Sequence, residues 1–185
     1  MSRKTSLKEV LDFQLVKKQR EQFLPMRIEL KKSPVKGVGI YATSKIKDGE
    51  IVALYRLRVF RVETYRSITG NAYCFSTYTV SGNESRIFIG DLVPESLQDP
   101  LKLEDRYIPY WGYFSNEPSP GQVSNVWVDM NTEENYKSRK RLKEGDFITY
   151  KLVAIKDIAP GDEIVWHYGD SYHGRDYLVN SESQK

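Results

Sequence analysis

The residues with the most chemistry to offer crowd the far end of the chain. Trp166, His167 and Tyr168 are consecutive, and Tyr172 follows close behind. Such rings combine an apolar face with a polar tip, and Tyr in particular can line an apolar channel while leaving a hydroxyl in it. Two asparagines precede them. Asn116 sits in Trp111-Gly112-Tyr113-Phe114-Ser115-Asn116-Glu117-Pro118, and Asn125 lies just before Val126. An Asn amide both donates and accepts, and it holds a loop by bonding the loop's backbone. Near the start, Gly37-Val38-Gly39 places two glycines one residue apart. That spacing lets the chain turn sharply and lets another group approach its backbone closely.

Metal chemistry finds little support. Cys74 is the only cysteine and there are two histidines, so a multi-thiolate zinc site and an internal disulfide are both excluded. A lone cysteine suits a reducing, intracellular compartment. The glycine pair is not a dinucleotide fingerprint, because no helix pattern follows it.

The elements that must position these groups are mostly short strands. A chain of 185 residues, 39% hydrophobic and 29% charged, is long enough for one domain with a real core and a small appendage. The formal net charge of +3 supports at most a local basic patch. The longest apolar runs fall far short of a membrane span, and Met1 to Lys4 lead into no signal-peptide core. Ser6-Leu7-Lys8-Glu9 has the spacing of a helix capping box. Leu7, Val10, Leu11 and Leu15 then share one face, predicting an N-terminal helix that docks on the domain or on a partner and stops by Pro25.

From Arg27 the order reads strand, glycine turn, strand, polar turn (Lys47 to Glu50), strand (Ile51 to Tyr55). Further segments are predicted at Val59 to Val62, Tyr73 to Val80, Arg86 to Asp91, Val126 to Met130 and Phe147 to Ile155, which argues a mainly β core. Val93 to Pro109 reads as a loop insert with one helical turn at Leu101 to Asp105. Leu152 to Ile155 and Ile164 to Tyr168, joined by Pro160-Gly161, read as a hairpin. Lys137 to Lys143 is a basic run, read as a solvated hairpin end or else as a nucleic-acid or nuclear-import patch.

Side by side, three blocks resemble the SET-domain protein lysine methyltransferases. Gly37-Val38-Gly39-Ile40-Tyr41-Ala42 is similar to the first block. Tyr113 to Pro118 with Asn125 is similar to the R-F-I-N-H-S and N-A block. Ala154 to Tyr168 is similar to A-x-x-D-I-x-x-G-E-E-L-x-x-x-Y. The layout looks closest to the compact viral SET enzymes, which lack the pre-SET and post-SET zinc modules. The resemblance implies small β-sheets around a C-terminal pseudoknot. It divides the chain into a helical appendage (1–26), a SET domain (27–172, insert about 93–109) and a tail (173–185). S-adenosylmethionine would lie on Lys36, Gly37, Val38 and Gly39, with Asn116 at its amino-acid end and the Glu117 backbone at its adenine. Tyr168 stands at the catalytic position, and Tyr73, Phe75, Trp166 and Tyr172 are the candidate channel walls. The partner implied is a protein with an exposed lysine, a histone tail being the commonest acceptor class.

The chemistry explains why the family needs such residues. The amine that attacks the methyl group must be neutral, yet a free lysine has a pKa near 10.4, leaving about one molecule in a thousand neutral at pH 7. An aromatic channel and a nearby sulfonium both lower that value. Glu117 replaces the usual His and must find a donor or face water. His167 replaces a common Asp. Trp166, two residues before Tyr168, is expected to narrow the channel and favour monomethylation. Two other functions compete: a SET-like binding module that has lost turnover, and a basic nucleic-acid-binding β protein using Lys137 to Lys143 and the N-terminal helix. Glu95, Asp99, Glu104 and Asp105 form an acidic strip in the insert that would suit a histone tail.

Overall fold

The computed structural model describes residues 13–33, 36–63, 65, 75–81, 84–129 and 143–169. Tyr73, Tyr172 and residues 137–142 of the basic run lie outside them, as does the capping box of the N-terminal helix. The chain is mainly β, in three sheets, with one α-helix among the described residues, α1 (Phe13–Gln22).

The first sheet is built on the glycine turn. β1 (Ile28–Ser33) and β2 (Gly37–Ala42) run antiparallel, with Ser33 opposite Gly37 and Ile28 opposite Ala42. The polar turn beyond them closes as expected, the Glu50 N–H donating to the Lys47 carbonyl at 3.1 Å. The chain then enters a five-stranded sheet in the order β4 (Phe75–Ser81), β5 (Glu84–Asp91), β3 (Ile51–Arg61), β9 (Phe147–Ala154), β8 (Val126–Asp129). β9 alternates throughout, burying Ile148, Tyr150, Leu152 and Ala154 on one face, as a half-covered antiparallel strand should. β3 is one long strand, whereas the sequence suggested two short ones. Arg56 and Arg58 interrupt the apolar run only on its outer face, where the Arg56 guanidinium lies 3.7 Å from the centre of the Phe147 ring, while Leu57 and Val59 continue the core.

Two expectations fail. The insert forms a small hairpin, β6 (Leu101–Lys102) with β7 (Tyr107–Ile108), and its helical turn is a 3₁₀ turn at Pro94–Ser96. The final stretch is no hairpin either. β9 pairs with β3 and β8, while β10 (Glu163–Ile164) crosses to the first sheet and pairs with β2. The Pro160-Gly161 turn forms, with Gly161 at φ +91° and Asp162 bonded back to the Ala159 carbonyl. What it joins belongs to different sheets.

The reason is a set of distant partners for the backbone of residues 163–166. Val165 makes a parallel bridge with Asn116, and the Trp166 N–H donates to the Asn116 carbonyl at 3.1 Å. On the other side, the Asn125 and Val126 N–H groups donate to the Val165 carbonyl, at 3.1 and 3.3 Å. The Asn125 side chain donates to the Glu163 carbonyl at 2.7 Å and accepts from the Val165 N–H at 2.9 Å. Ser115 donates its hydroxyl to the Ile164 carbonyl at 2.9 Å. The last segment thus passes between the two ends of the 116–125 loop.

α1 docks on this domain. Val16 and Gln19 face inward, and Gln19 donates to the Gln98 carbonyl at 2.8 Å while accepting from the buried Trp111 indole at 3.1 Å. The helix therefore fastens the insert to the segment that carries Asn116. Asn125 is the more exacting member of the fold, because it serves two backbone groups inside the protein. Asn125→Ala leaves both without that partner and should destabilise the chain by about 3 kcal/mol, measured by chemical denaturation. A loss well under 1 kcal/mol would show that the threaded segment does not depend on it.

Candidate functional site

The two glycines of the first turn have different reasons to be glycine. Gly37 lies at φ +82°, where a side chain is strained, and nothing stands within 4 Å of where its Cβ would be. Gly39 has no such strain. A Cβ there would stand 2.7 Å from Glu163 Oε1 and 2.8 Å from Asn116 Nδ2. One glycine makes the turn, and the other lets Asn116 and Glu163 close against the strand.

Asn116 is buried and donates Nδ2 to the Val38 carbonyl at 3.2 Å and to Glu163 Oε1 at 2.9 Å. Lys36, whose side chain is only 5% exposed, donates Nζ to the Glu117 carbonyl and lies 3.8 Å from Glu163 Oε2. Burial pushes the Lys36 ammonium below its usual range, and the charges of Glu163 and Glu117 oppose that shift. Two carboxylates and one ammonium therefore share the site.

Glu117 finds its donor in the backbone. Its carboxylate is buried and accepts from the Tyr168 N–H at 3.3 Å. Tyr168 also donates its hydroxyl to the Ser115 carbonyl at 2.6 Å, so both its backbone and its phenol are held from the 115–117 segment. The Trp166 ring packs against it, with centroids 4.8 Å apart and a 52° tilt. His167 points to solvent, where Nδ1 accepts from the Gly169 N–H at 3.2 Å.

The structure thus brings together Lys36, Gly37, Val38, Gly39, Asn116, Glu117, Trp166 and Tyr168. Among the channel residues, Tyr73 and Tyr172 fall outside the described residues, and Phe75 begins β4. The sequence reading passed over Glu163. It lay in the last block beside Asp162, and an acid after a Pro-Gly turn reads as solvated. No group of three or more metal-ligating side chains occurs among the described residues. No helix of the described residues is long and apolar enough to cross a membrane.

A family model for the SET domain matches residues 37–169, and the chain belongs to that family of protein methyltransferases. No curated protein matches the sequence significantly. Among solved structures, similarity extends to the methyltransferase domain of human PR domain-containing protein 2. There the identity is 18%, 93% of each chain is covered and the TM-score is 0.46. A Plasmodium falciparum protein described as a candidate histone methyltransferase is 17% identical over 80% of this chain and 98% of its own, with a TM-score of 0.46. A Cryptosporidium SET8 protein is 19% identical over 78% of this chain and 58% of its own, with a TM-score of 0.44.

The buried Lys36 has a consequence for stability. Its folded pKa is lowered, so between the folded and unfolded values the unfolded chain binds more protons, and stability rises with pH across that window. Lys36→Met removes the titration. The melting temperature of the unmodified protein should therefore gain on that of Lys36→Met as pH climbs from neutrality toward about 10. A difference that stays flat across the series would place the ammonium in water.

Proposed function

We propose that this chain is an S-adenosylmethionine-dependent protein lysine N-methyltransferase whose acceptor is a histone tail. The observation that carries the reading is the convergence of the glycine turn, Asn116 and Tyr168, far apart in sequence, on one threaded segment. The residues suit the cofactor. Both Nδ2 hydrogens of Asn116 are engaged by Val38 and Glu163, which turns Oδ1 away from that pair as an acceptor for an ammonium. The space over Gly37 is open, so a ligand can lie against the backbone of 36–39. Two carboxylates against one ammonium also suit a ligand with net positive charge.

The cofactor supplies a methyl group on a sulfonium, for in-line transfer to a neutral amine. The protein's part is positioning. Asn116 would take the cofactor's amino-acid end and the Glu117 backbone its adenine, and Lys36 would then have to give up the Glu117 carbonyl. Tyr168, held by Ser115 and Glu117, presents its phenol oxygen to the methyl and the incoming amine. Such preorganised dipoles do not have to reorient during the reaction. Trp166 narrows the channel beside Tyr168, where desolvation favours the neutral amine. Exposed Glu95, Asp99 and Glu104 offer charge complementary to a basic tail. Asp105 serves structure instead, paired with Arg27 and Arg106 at 3.1 Å. A histone acceptor would place the work in the nucleus.

The test is calorimetric titration of S-adenosylmethionine, together with methyl transfer to mixed histones by the unmodified protein and by Tyr168→Phe. Both proteins should bind, and the variant should lose about 100-fold or more in rate. Absence of binding by the unmodified protein would end the reading, and binding without transfer to any histone would remove the histone acceptor. Mass spectrometry of the product should find monomethyllysine, and trimethyllysine would dismiss the narrowing role of Trp166.

A further inference from the structure

We propose that Glu163 is a positioning residue for the cofactor's amino group, acting through Asn116, an inference that rests on the methyl-donor reading above. The case starts from what a carboxylate can do. Ionised Glu163 only accepts hydrogen bonds, so the Asn116 amide facing it at 2.9 Å must present its NH₂. The second Nδ2 hydrogen goes to the Val38 carbonyl, also an obligate acceptor. Two acceptors that cannot become donors leave the amide one orientation, with Oδ1 directed away from both. None of the described residues donates to that oxygen. It is therefore available to an ammonium.

The surroundings keep Glu163 to this task. Its side chain is 12% exposed, and the second oxygen lies 3.8 Å from Lys36 Nζ, so the carboxylate keeps a cation beside it. The missing Cβ of Gly39 gives the carboxylate and the amide the room to meet. Asp162, one residue earlier, is exposed and caps its own turn through the Ala159 N–H at 3.0 Å. Two adjacent acids thus divide between turn and site. A glutamine at 163 weakens the arrangement, because its amide can present NH₂ as readily as oxygen, and the Val38 carbonyl alone is then left to hold the Asn116 amide in its orientation.

The experiment compares two neutral-sulfur probes: S-adenosylhomocysteine, and its analogue lacking the α-amino group. Glu163→Gln should weaken the first by about tenfold or more, the effect of one charge-assisted hydrogen bond, and leave the second within about twofold. Asp162→Asn should change neither. Thermal denaturation checks that Glu163→Gln folds. If it does not, Glu163→Asp, which retracts the carboxylate by one methylene, is subjected to the same comparison and should show the same amino-dependent loss. Equal weakening of both probes in a folded variant would make Glu163 merely structural and overturn the proposal while leaving the methyl-donor reading intact. Failure of the unmodified protein to bind either probe would remove that reading, and this inference with it.

Discussion

Everything at the site depends on how the backbone of Val165 is bonded. Its carbonyl accepts from the Asn125 and Val126 N–H groups, and its own N–H goes to the Asn125 side chain. Its other flank bridges Asn116. Buried backbone groups must be paired somewhere, and here the partners come from two loops that no local strand could replace. With Val165 fixed, Glu163 falls against Gly39 and Asn116, while Trp166 and Tyr168 project beyond the 115–117 segment. The order of the site is the order of the strand that passes through it.

Inside this frame the charges are arranged with economy. A buried ammonium and two buried or half-buried carboxylates would each be unfavourable alone. Lys36 faces Glu163 and the Glu117 carbonyl, and Glu117 meets the Tyr168 N–H. Glu117 is the clearest departure from the family pattern, and the structure gives it work to do. A carboxylate stands where the family pattern has an imidazole, and at this position it is tied to the backbone of the phenol-bearing residue, accepting from the Tyr168 N–H at 3.3 Å.

The parts that were legible in the sequence are those encoded by short, local rules. Glycines one residue apart, the Lys47 to Glu50 turn and the alternating strands each announced themselves, and the three blocks named the fold. What was not legible rests on partners far along the chain. Leu152 to Ile155 and Ile164 to Tyr168 carry the pattern of a hairpin, and only the Asn125 and Asn116 contacts draw the second run into another sheet. The resemblance put Lys36 beside the ligand, but nothing in the sequence pairs it with Glu163, since lysine is almost never fully buried without a partner and that partner stands 127 residues further on. Arg56 and Arg58 seemed to end a strand that in fact continues beneath them.

The threaded segment also governs how the protein comes into being. Its partners lie from 38 residues upstream, at Asn125, to 122 upstream, at Tyr41 opposite Glu163, so its contacts are among the least local in the chain. Loops of that size must close before such contacts can repay the entropy lost, which makes them late events in folding. A chain emerging stepwise can build β1 to β5 and much of the core, yet none of its intermediates holds Asn116 against Glu163 or Tyr168 against Ser115. That arrangement is absent until the end and then appears whole. Any ligand held there would for that reason be coupled to global folding, and its occupancy would protect the C-terminal segment more than any single contact within it.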